Sequence, residues 1–204
     1  MRALILCLAI WGAAANAAPF SHGVHLQLKL ECTGCHAAAA TSTQSADNLL
    51  PDTKVCLGCH PSATIGSPPT TRVAHFSHQQ HLKMGNLAPV ITAAIDKNNY
   101  LQPPGDLRHQ LEGAMTACEA CHRGLRDSDQ VSAANMPKMA DCIVCHIQID
   151  NPFSCDKCHA AGDNLKPASH VEGFMTAHSS GKMNLDKASC TICHGRTFRC
   201  LGCH

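Results

Sequence analysis

The sequence predicts a fold of few short α-helices and mostly loop, packed around groups bound along the chain rather than around a conventional apolar core. Three observations predict it. Aromatic residues make up 3% of the 204 residues, with one Trp and one Tyr, so the large side chains that normally fill a core are scarce. Cysteine and histidine are each present 15 times, an excess that signals disulfides, metal or a covalent cofactor. All but one of the cysteines fall into a single repeated spacing.

The N-terminus reads as a secretory signal peptide over residues 1–17. Arg2 precedes the apolar run from Ala3 to Trp11, and Ala15-Asn16-Ala17 supplies a small-residue cleavage site. The run is too short to span a bilayer, and the bulky Leu6 ahead of Cys7 speaks against a lipoprotein. No later apolar run approaches spanning length, Ala88 to Ile95 being the longest candidate. The mature chain is expected to be exported, to the periplasm in the first instance or to the extracellular side, with no transmembrane segment. Cleavage removes Cys7 and Arg2, leaving fourteen cysteines and a formal charge of zero in place of +1. A nucleic-acid partner would need a basic face, which this balance does not supply.

The fourteen cysteines form seven pairs: Cys32/Cys35, Cys56/Cys59, Cys118/Cys121, Cys142/Cys145, Cys155/Cys158, Cys190/Cys193 and Cys200/Cys203. A histidine follows each pair at once: His36, His60, His122, His146, His159, His194 and His204. C-x-x-C-H is the signature of covalent c-type haem attachment. Two intervening residues make about one helical turn, so both sulfurs meet one porphyrin edge as thioethers. The next imidazole then lies over the ring face, where it binds iron axially. A disulfide framework accounts for paired cysteines in an exported chain but not for a histidine after every pair. Zinc sites combine two cysteine pairs, or one pair with two histidines, and seven pairs fit neither. A thioredoxin-type motif needs one C-x-x-C near a βαβ unit. The expected cofactor is therefore haem c, seven per chain, and the terminal His204 is expected to be tied down by the last of them.

Each iron has a second axial position. Eight histidines remain, His22, His25, His75, His78, His81, His109, His170 and His178. His22 and His25 precede the first two motifs. His78, His81 and His109 precede the next three, and His170 and His178 the last two. The counts match segment by segment with His75 spare, so these seven are the expected distal ligands. Met136 and Met139, just before Cys142, are rival ligands of the kind that raises a potential; with histidines sufficient, they are expected to be packing residues.

The F-S-H-x-x-H stretches at residues 20–25 and 76–81, followed by C-x-x-C-H motifs, resemble the class III multihaem cytochromes c and, over the whole chain, the larger periplasmic proteins of the cytochrome c3 family. The resemblance implies that the first His of F-x-H-x-x-H binds the first haem and the second His a later one. Carried over, His22 goes to the Cys32/Cys35 haem, His25 to Cys56/Cys59, His78 to Cys118/Cys121 and His81 to Cys142/Cys145. His109 is left for Cys155/Cys158 by elimination, and His170 and His178 serve the last two in either order. The chain departs from the small relatives in its insert from Lys83 to Ala117 and in having no His between His122 and His146.

Three segments follow: 18–66 with two motifs, 73–165 with three and 166–204 with two, a Ser-Pro-Pro-Thr-Thr-Arg linker filling 67–72 between the first two. The repeated F-S-H-x-x-H-L and C-L-G-C-H strings suggest a duplicated unit. A helix is expected from Pro104 to Gly124, delivering Cys118 and Cys121 on one face, and another over Ala88 to Asn98. Leu26 to Glu31 alternates weakly, and each motif should form a short helical turn.

Motifs this close in sequence must be close in space, because a residue spans at most about 3.5 Å. The expected function is storage and transfer of electrons through low-potential bis-histidine haems in anaerobic or metal-linked respiration, with redox proteins as donor and acceptor. A full set of distal histidines leaves no position for a substrate, so no enzymatic activity and no catalytic residue is expected. Two alternatives stay open: a multihaem oxidoreductase with one open haem, or a subunit of a haem filament or outer-membrane conduit, in which His75 would ligate a neighbour's haem.

Two measurements check this. Whole-protein mass is expected to exceed that of the chain cut after Ala17 by roughly 4.3 kDa for seven haems. The isoelectric point is expected below 7, since about fourteen ionised propionates outweigh about seven ferric charges.

Overall fold

The computed structural model describes residues 20–68, 70–102, 104–146, 155–167, 169–183 and 187–195, the side chains of 187–189 excepted. The expected signal peptide and the last motif, Cys200 to His204, lie outside the described residues. Among those described, the chain is mostly loop. It has nine short α-helices and no strand beyond one antiparallel bridge between Val73 and His159.

Helices α1 (His22–Gln27) and α4 (His78–Lys83) begin at equivalent places in the two F-S-H-x-x-H stretches. Ser21 accepts from the Val24 N–H and Ser77 from the Gln80 N–H, satisfying first-turn donors that have no partner within the helix. The alternation over Leu26 to Glu31 makes no strand: α1 runs into it, Leu28 caps the helix, and Lys29 has φ of 59°, a left-handed conformation that breaks extended chain.

Short helical elements carry most motifs, as the spacing suggests. They are α2 (Cys32–Cys35), α3 (Thr53–Leu57), α7 (Met139–Ile143), the 3-10 turn Cys155–Lys157 and α9 (Lys187–His194). Helix α5 (Ala88–Asp96), with Pro89 in its first turn where a missing N–H costs nothing, matches the expected helix closely. The helix expected from Pro104 to Gly124 does not form at that length. It is α6 (Leu107–Glu112), ended by Gly113. Beyond it, the Glu119 carboxylate accepts from the Met115 and Thr116 N–H groups, capping a separate set of turns around Cys118 to His122. Helix α8 (Phe174–Ser179) precedes α9 in the last described stretch.

The apolar core is small and sits in the middle segment, where α5 packs on α6. It consists of Ala88, Ile91, Tyr100, Leu107, Leu111, Ala120 and Ala140, with Ile192 of α9 against it. A polar network lies beside it. The Tyr100 hydroxyl donates to Asp141 Oδ1 at 2.9 Å, and Arg123 Nη2 donates to Asp141 Oδ2 at 2.7 Å. Arg123 also donates to the Ala120 carbonyl, and the Asn135 side-chain amide donates to the Arg123 carbonyl. Burial, then the Asp141 carboxylate, push the Tyr100 phenol well above its usual range. Arg123 follows His122 and Asp141 precedes Cys142, so the network clamps the third motif to the fourth.

The two halves exchange contacts. Helix α1 packs on the 3-10 turn Leu125–Asp127 that follows the third motif, with the Gly23 N–H donating to the Ser128 carbonyl at 3.2 Å. A Cβ at Gly23 would lie 2.8 Å from the Arg126 carbonyl oxygen, so only glycine permits this approach. Helix α4 packs on the 3-10 turn Ala37–Ala40 that follows the first motif, with the Gln79 N–H and the Ser77 hydroxyl both donating to the Ser42 carbonyl.

The Arg123–Asp141 side chains are 2% and 3% exposed. Asp141→Ala strands the guanidinium in the interior and is expected to cost about 3–5 kcal/mol. Tyr100→Phe removes one hydrogen bond and is expected to cost about 1–2 kcal/mol. Denaturant unfolding of both variants measures the ratio.

Candidate cofactor-binding site

Every described motif closes the same way. The N–H of the histidine donates to the carbonyl of the first cysteine, at 2.8 Å for His36 and His122 and 2.9 Å for His60, His146 and His159. This i to i−4 bond is one turn of α-helix, and it sets both cysteines and the histidine around a common side. In the sixth motif α9 supplies the same turn directly, ending at His194.

Five motif histidines then meet a histidine from elsewhere. The ring centres are 6.1 Å apart for His22 and His36, 6.0 Å for His25 and His60, and 6.5 Å for His78 and His122. They are 6.3 Å apart for His81 and His146 and 6.1 Å for His170 and His194. Two imidazoles bound through nitrogens at about 2.0–2.1 Å to one metal between them hold their ring centres about 6.3 Å apart. All five pairs match that separation, and each joins one motif histidine to one histidine outside the motifs.

The tautomers agree. His25 Nδ1 bonds the Ser21 carbonyl and His81 Nδ1 the Ser77 carbonyl, each at 2.8 Å. His36 Nδ1 bonds the Leu49 carbonyl at 2.7 Å, His122 Nδ1 the Asn135 carbonyl at 3.2 Å and His159 Nδ1 the Arg72 carbonyl at 2.7 Å. A carbonyl on Nδ1 fixes the proton there, orients the ring and leaves Nε2 as the nitrogen with a lone pair to offer a metal. Burial, followed by neighbouring imidazoles, lowers the pKa of His22 and His78. Burial also lowers that of His122, against the Asn135 carbonyl. All three are thereby kept neutral, the form that binds metal.

Phenylalanines hold the outer histidines. Phe20 meets His22 edge-on at 86° and stacks on His25 at 25°, and Phe76 meets His78 at 85° and stacks on His81 at 23°. The facing pairs repeat as well: 13° and 49° in the first unit, 10° and 42° in the second. The two units are copies of one arrangement. In the last described stretch Phe174 stacks between His170 and His178.

The motifs also meet one another. The Cys118 thiol hydrogen-bonds Cys32, which lowers Cys32 to about 6 and raises Cys118. Burial, with Asp141, Cys121 and Cys158 nearby, pushes Cys142 up to about 11. Burial and the adjacent Cys155 push Cys193 up. The twelve described motif cysteines form no disulfide. Among the described residues no three His, Cys, Asp or Glu side chains cluster as a self-contained metal site.

Of the seven expected distal histidines, the structure sets five opposite motif histidines. His178 lies against Phe174, and its remaining expected partner, His204, is outside the described residues. His109 does not face His159. It projects from α6 with its side chain 91% exposed, 4.0 Å from Glu112. His75 lies beside the fifth motif, its N–H donating to the Cys158 carbonyl. The phenylalanine wedges and the carbonyls behind the rings were not singled out in the sequence. The repeated Phe of F-S-H-x-x-H was a usable signal for the former, whereas nothing marks Leu49 or Asn135.

No protein family, curated protein or solved structure matches the chain. Among the described residues no helix is long and apolar enough to cross a membrane.

The serine caps set the register of the two histidine-bearing helices. Ser77→Ala is expected to cost about 1 kcal/mol, read as a lowered denaturation midpoint. Ser21, which also donates to Asp129 at 3.0 Å, should cost at least as much when replaced by alanine.

Proposed function

We propose that this chain is an exported heptahaem c-type cytochrome, akin to the class III and cytochrome c3 proteins, that stores electrons and transfers them between redox partners. The observation that carries the reading is the set of five histidine pairs whose rings stand one metal's width apart, each beside a pair of thiols. Cys32, Cys35, Cys56, Cys59, Cys118, Cys121, Cys142, Cys145, Cys155, Cys158, Cys190, Cys193, Cys200 and Cys203 would hold the porphyrins. The seven motif histidines would bind iron on one face. His22, His25, His78, His81 and His170 would bind it on the other, and His178 would do so at the last motif. Haem held this way supplies one-electron iron chemistry at low potential, since two imidazoles stabilise ferric iron relative to a methionine ligand.

The protein's own groups prepare that chemistry. The carbonyls on Nδ1 keep the rings in one tautomer and increase the basicity of Nε2. The phenylalanine wedges stop the outer histidines from rotating. Cys118 lies against Cys32, and the thiols of Cys121 and Cys158 are close enough to Cys142, and that of Cys155 to Cys193, to act on them electrostatically. His22 with His25, and His78 with His81, link two motifs each through one helix. The six described motifs therefore form a connected series of neighbours.

Apolar surface supports the reading too. Phe20, Val24, Leu28 and Leu57 are all about half exposed or more; Phe20 precedes α1, Val24 lies on it, Leu28 caps it, and Leu57 falls within the second motif. Flat apolar rings seated between the histidines would cover them, contributing area the small core lacks.

Two outcomes test the proposal. Protein made without haem attachment is expected to lack a cooperative thermal transition by circular dichroism, because cofactor binding here supplies the folding energy. In the loaded protein, His81→Met is expected to raise one of seven midpoint potentials in a spectroelectrochemical titration and leave the low-spin count unchanged. A colourless protein, or a titration in which all centres keep their potentials, contradicts the assignment.

A further inference from the structure

All eight histidines outside the motifs lie among the described residues, so each can be followed to its place. Five face motif rings across the separation of a shared metal. His178 shares Phe174 with His170, as His25 shares Phe20 with His22 and His81 shares Phe76 with His78. In those two units the second histidine serves the later motif, which assigns His178 to the last one. His75 and His109 remain, and one described motif histidine, His159, has no imidazole opposite it among the described residues.

Neither candidate is built to reach it. The His159 ring is held from its Nδ1 side. Nδ1 bonds the Arg72 carbonyl, Val73 bridges to His159, and the N–H groups of Ala74 and His75 both donate to the Cys158 carbonyl. His75 thus enters along the strip of backbone behind the ring, whereas a second axial ligand must approach from beyond Nε2. His109 sits midway between Leu107 and Leu111, each 3% exposed. Two residues along a helix is about 200° of rotation, so the face that buries the leucines turns His109 to solvent, where it is 91% exposed. Cys155, Asp156 and Lys157 are exposed, and Cys158 and His159 are half-buried, so the motif sits at the surface with its histidine partly covered.

We propose that the haem carried by Cys155 and Cys158 has His159 as its only protein axial ligand and that its other axial position takes a small exogenous ligand, a diatomic gas or a compact nitrogen- or oxygen-donor molecule. The proposal rests on the haem assignment above. It makes the fifth site a binding site inside a molecule whose other described sites are closed by two histidines each.

The test uses the purified, fully loaded protein, with haem content fixed by mass beforehand, and carbon monoxide as the probe. The oxidised protein is expected to show one high-spin ferric centre by electron paramagnetic resonance, and the reduced protein to bind about one carbon monoxide per chain. Both results are expected to survive in His109→Ala and in His75→Ala. His81→Ala opens the fourth site deliberately and should raise the binding to about two per chain. His159→Met changes the group opposite the bound gas and should shift the absorption band of its complex. A loaded protein that is low-spin throughout and binds no carbon monoxide overturns the proposal. If His109→Ala then creates the open site, His109 is the missing ligand. Carbon monoxide bound with a band unaffected by His159→Met places the open site elsewhere and also overturns it. A mass without haem removes the cytochrome assignment itself, an outcome distinct from a loaded protein with all irons closed.

Discussion

Two histidines three residues apart on one turn of helix share a face but cannot both reach the same partner. That constraint organises the molecule. His22 and His25 on α1 must diverge to His36 and His60, and His78 and His81 on α4 must diverge to His122 and His146. A six-residue helix thereby joins two motifs. The phenylalanine just before each helix acts on both rings at once, edge-on to one and stacked on the other, so the divergence is held at a fixed angle. Around these helices, loops and short turns deliver the cysteines of the first four motifs.

A chain this poor in regular structure needs its remaining order where loops would otherwise drift. The Tyr100–Asp141–Arg123 network meets that need between the third and fourth motifs. A buried ion pair adds little net stability compared with apolar packing, yet each partner is costly to leave alone. Such a pair tolerates one arrangement and penalises the rest. Helices α5 and α6 supply the apolar wall against which it sits, which gives the insert from Lys83 to Ala117 a structural role although it carries no motif.

The parts of the fold and site that could be read in the sequence are those whose chemistry is written along one dimension. C-x-x-C-H is such a pattern: one turn of backbone suffices to arrange it, and every described motif closes that turn. Helix α5 is legible because a proline in its first turn opens an apolar run that ends at Asn98-Asn99. Helix α6 was overextended because the apolar pattern continues past Gly113, and the competing cap, Glu119 on the Met115 and Thr116 amides, is visible only once the chain has turned. The weak alternation over Leu26 to Glu31 overlaps the end of α1 and forms no strand. The outer histidines of F-S-H-x-x-H fell opposite the motifs that the resemblance assigns to them, since the helix register dictates their divergence. His109 had no such register to rely on. Elimination by count assumes that every site is filled, and the amphipathic face of α6 turned the residue away.

The contact between Cys32 and Cys118 has a consequence for how the molecule is made. These sulfurs belong to the first and third motifs, so neighbours in the finished protein are separated by the whole second motif and the linker during synthesis. A chain is made from its N-terminus, and the first motif stays uncovered until the third arrives beside it. Under the haem attachment proposed above, an enzyme joining these thiols to porphyrin would meet the first motif open early and find it crowded once the third had closed beside it.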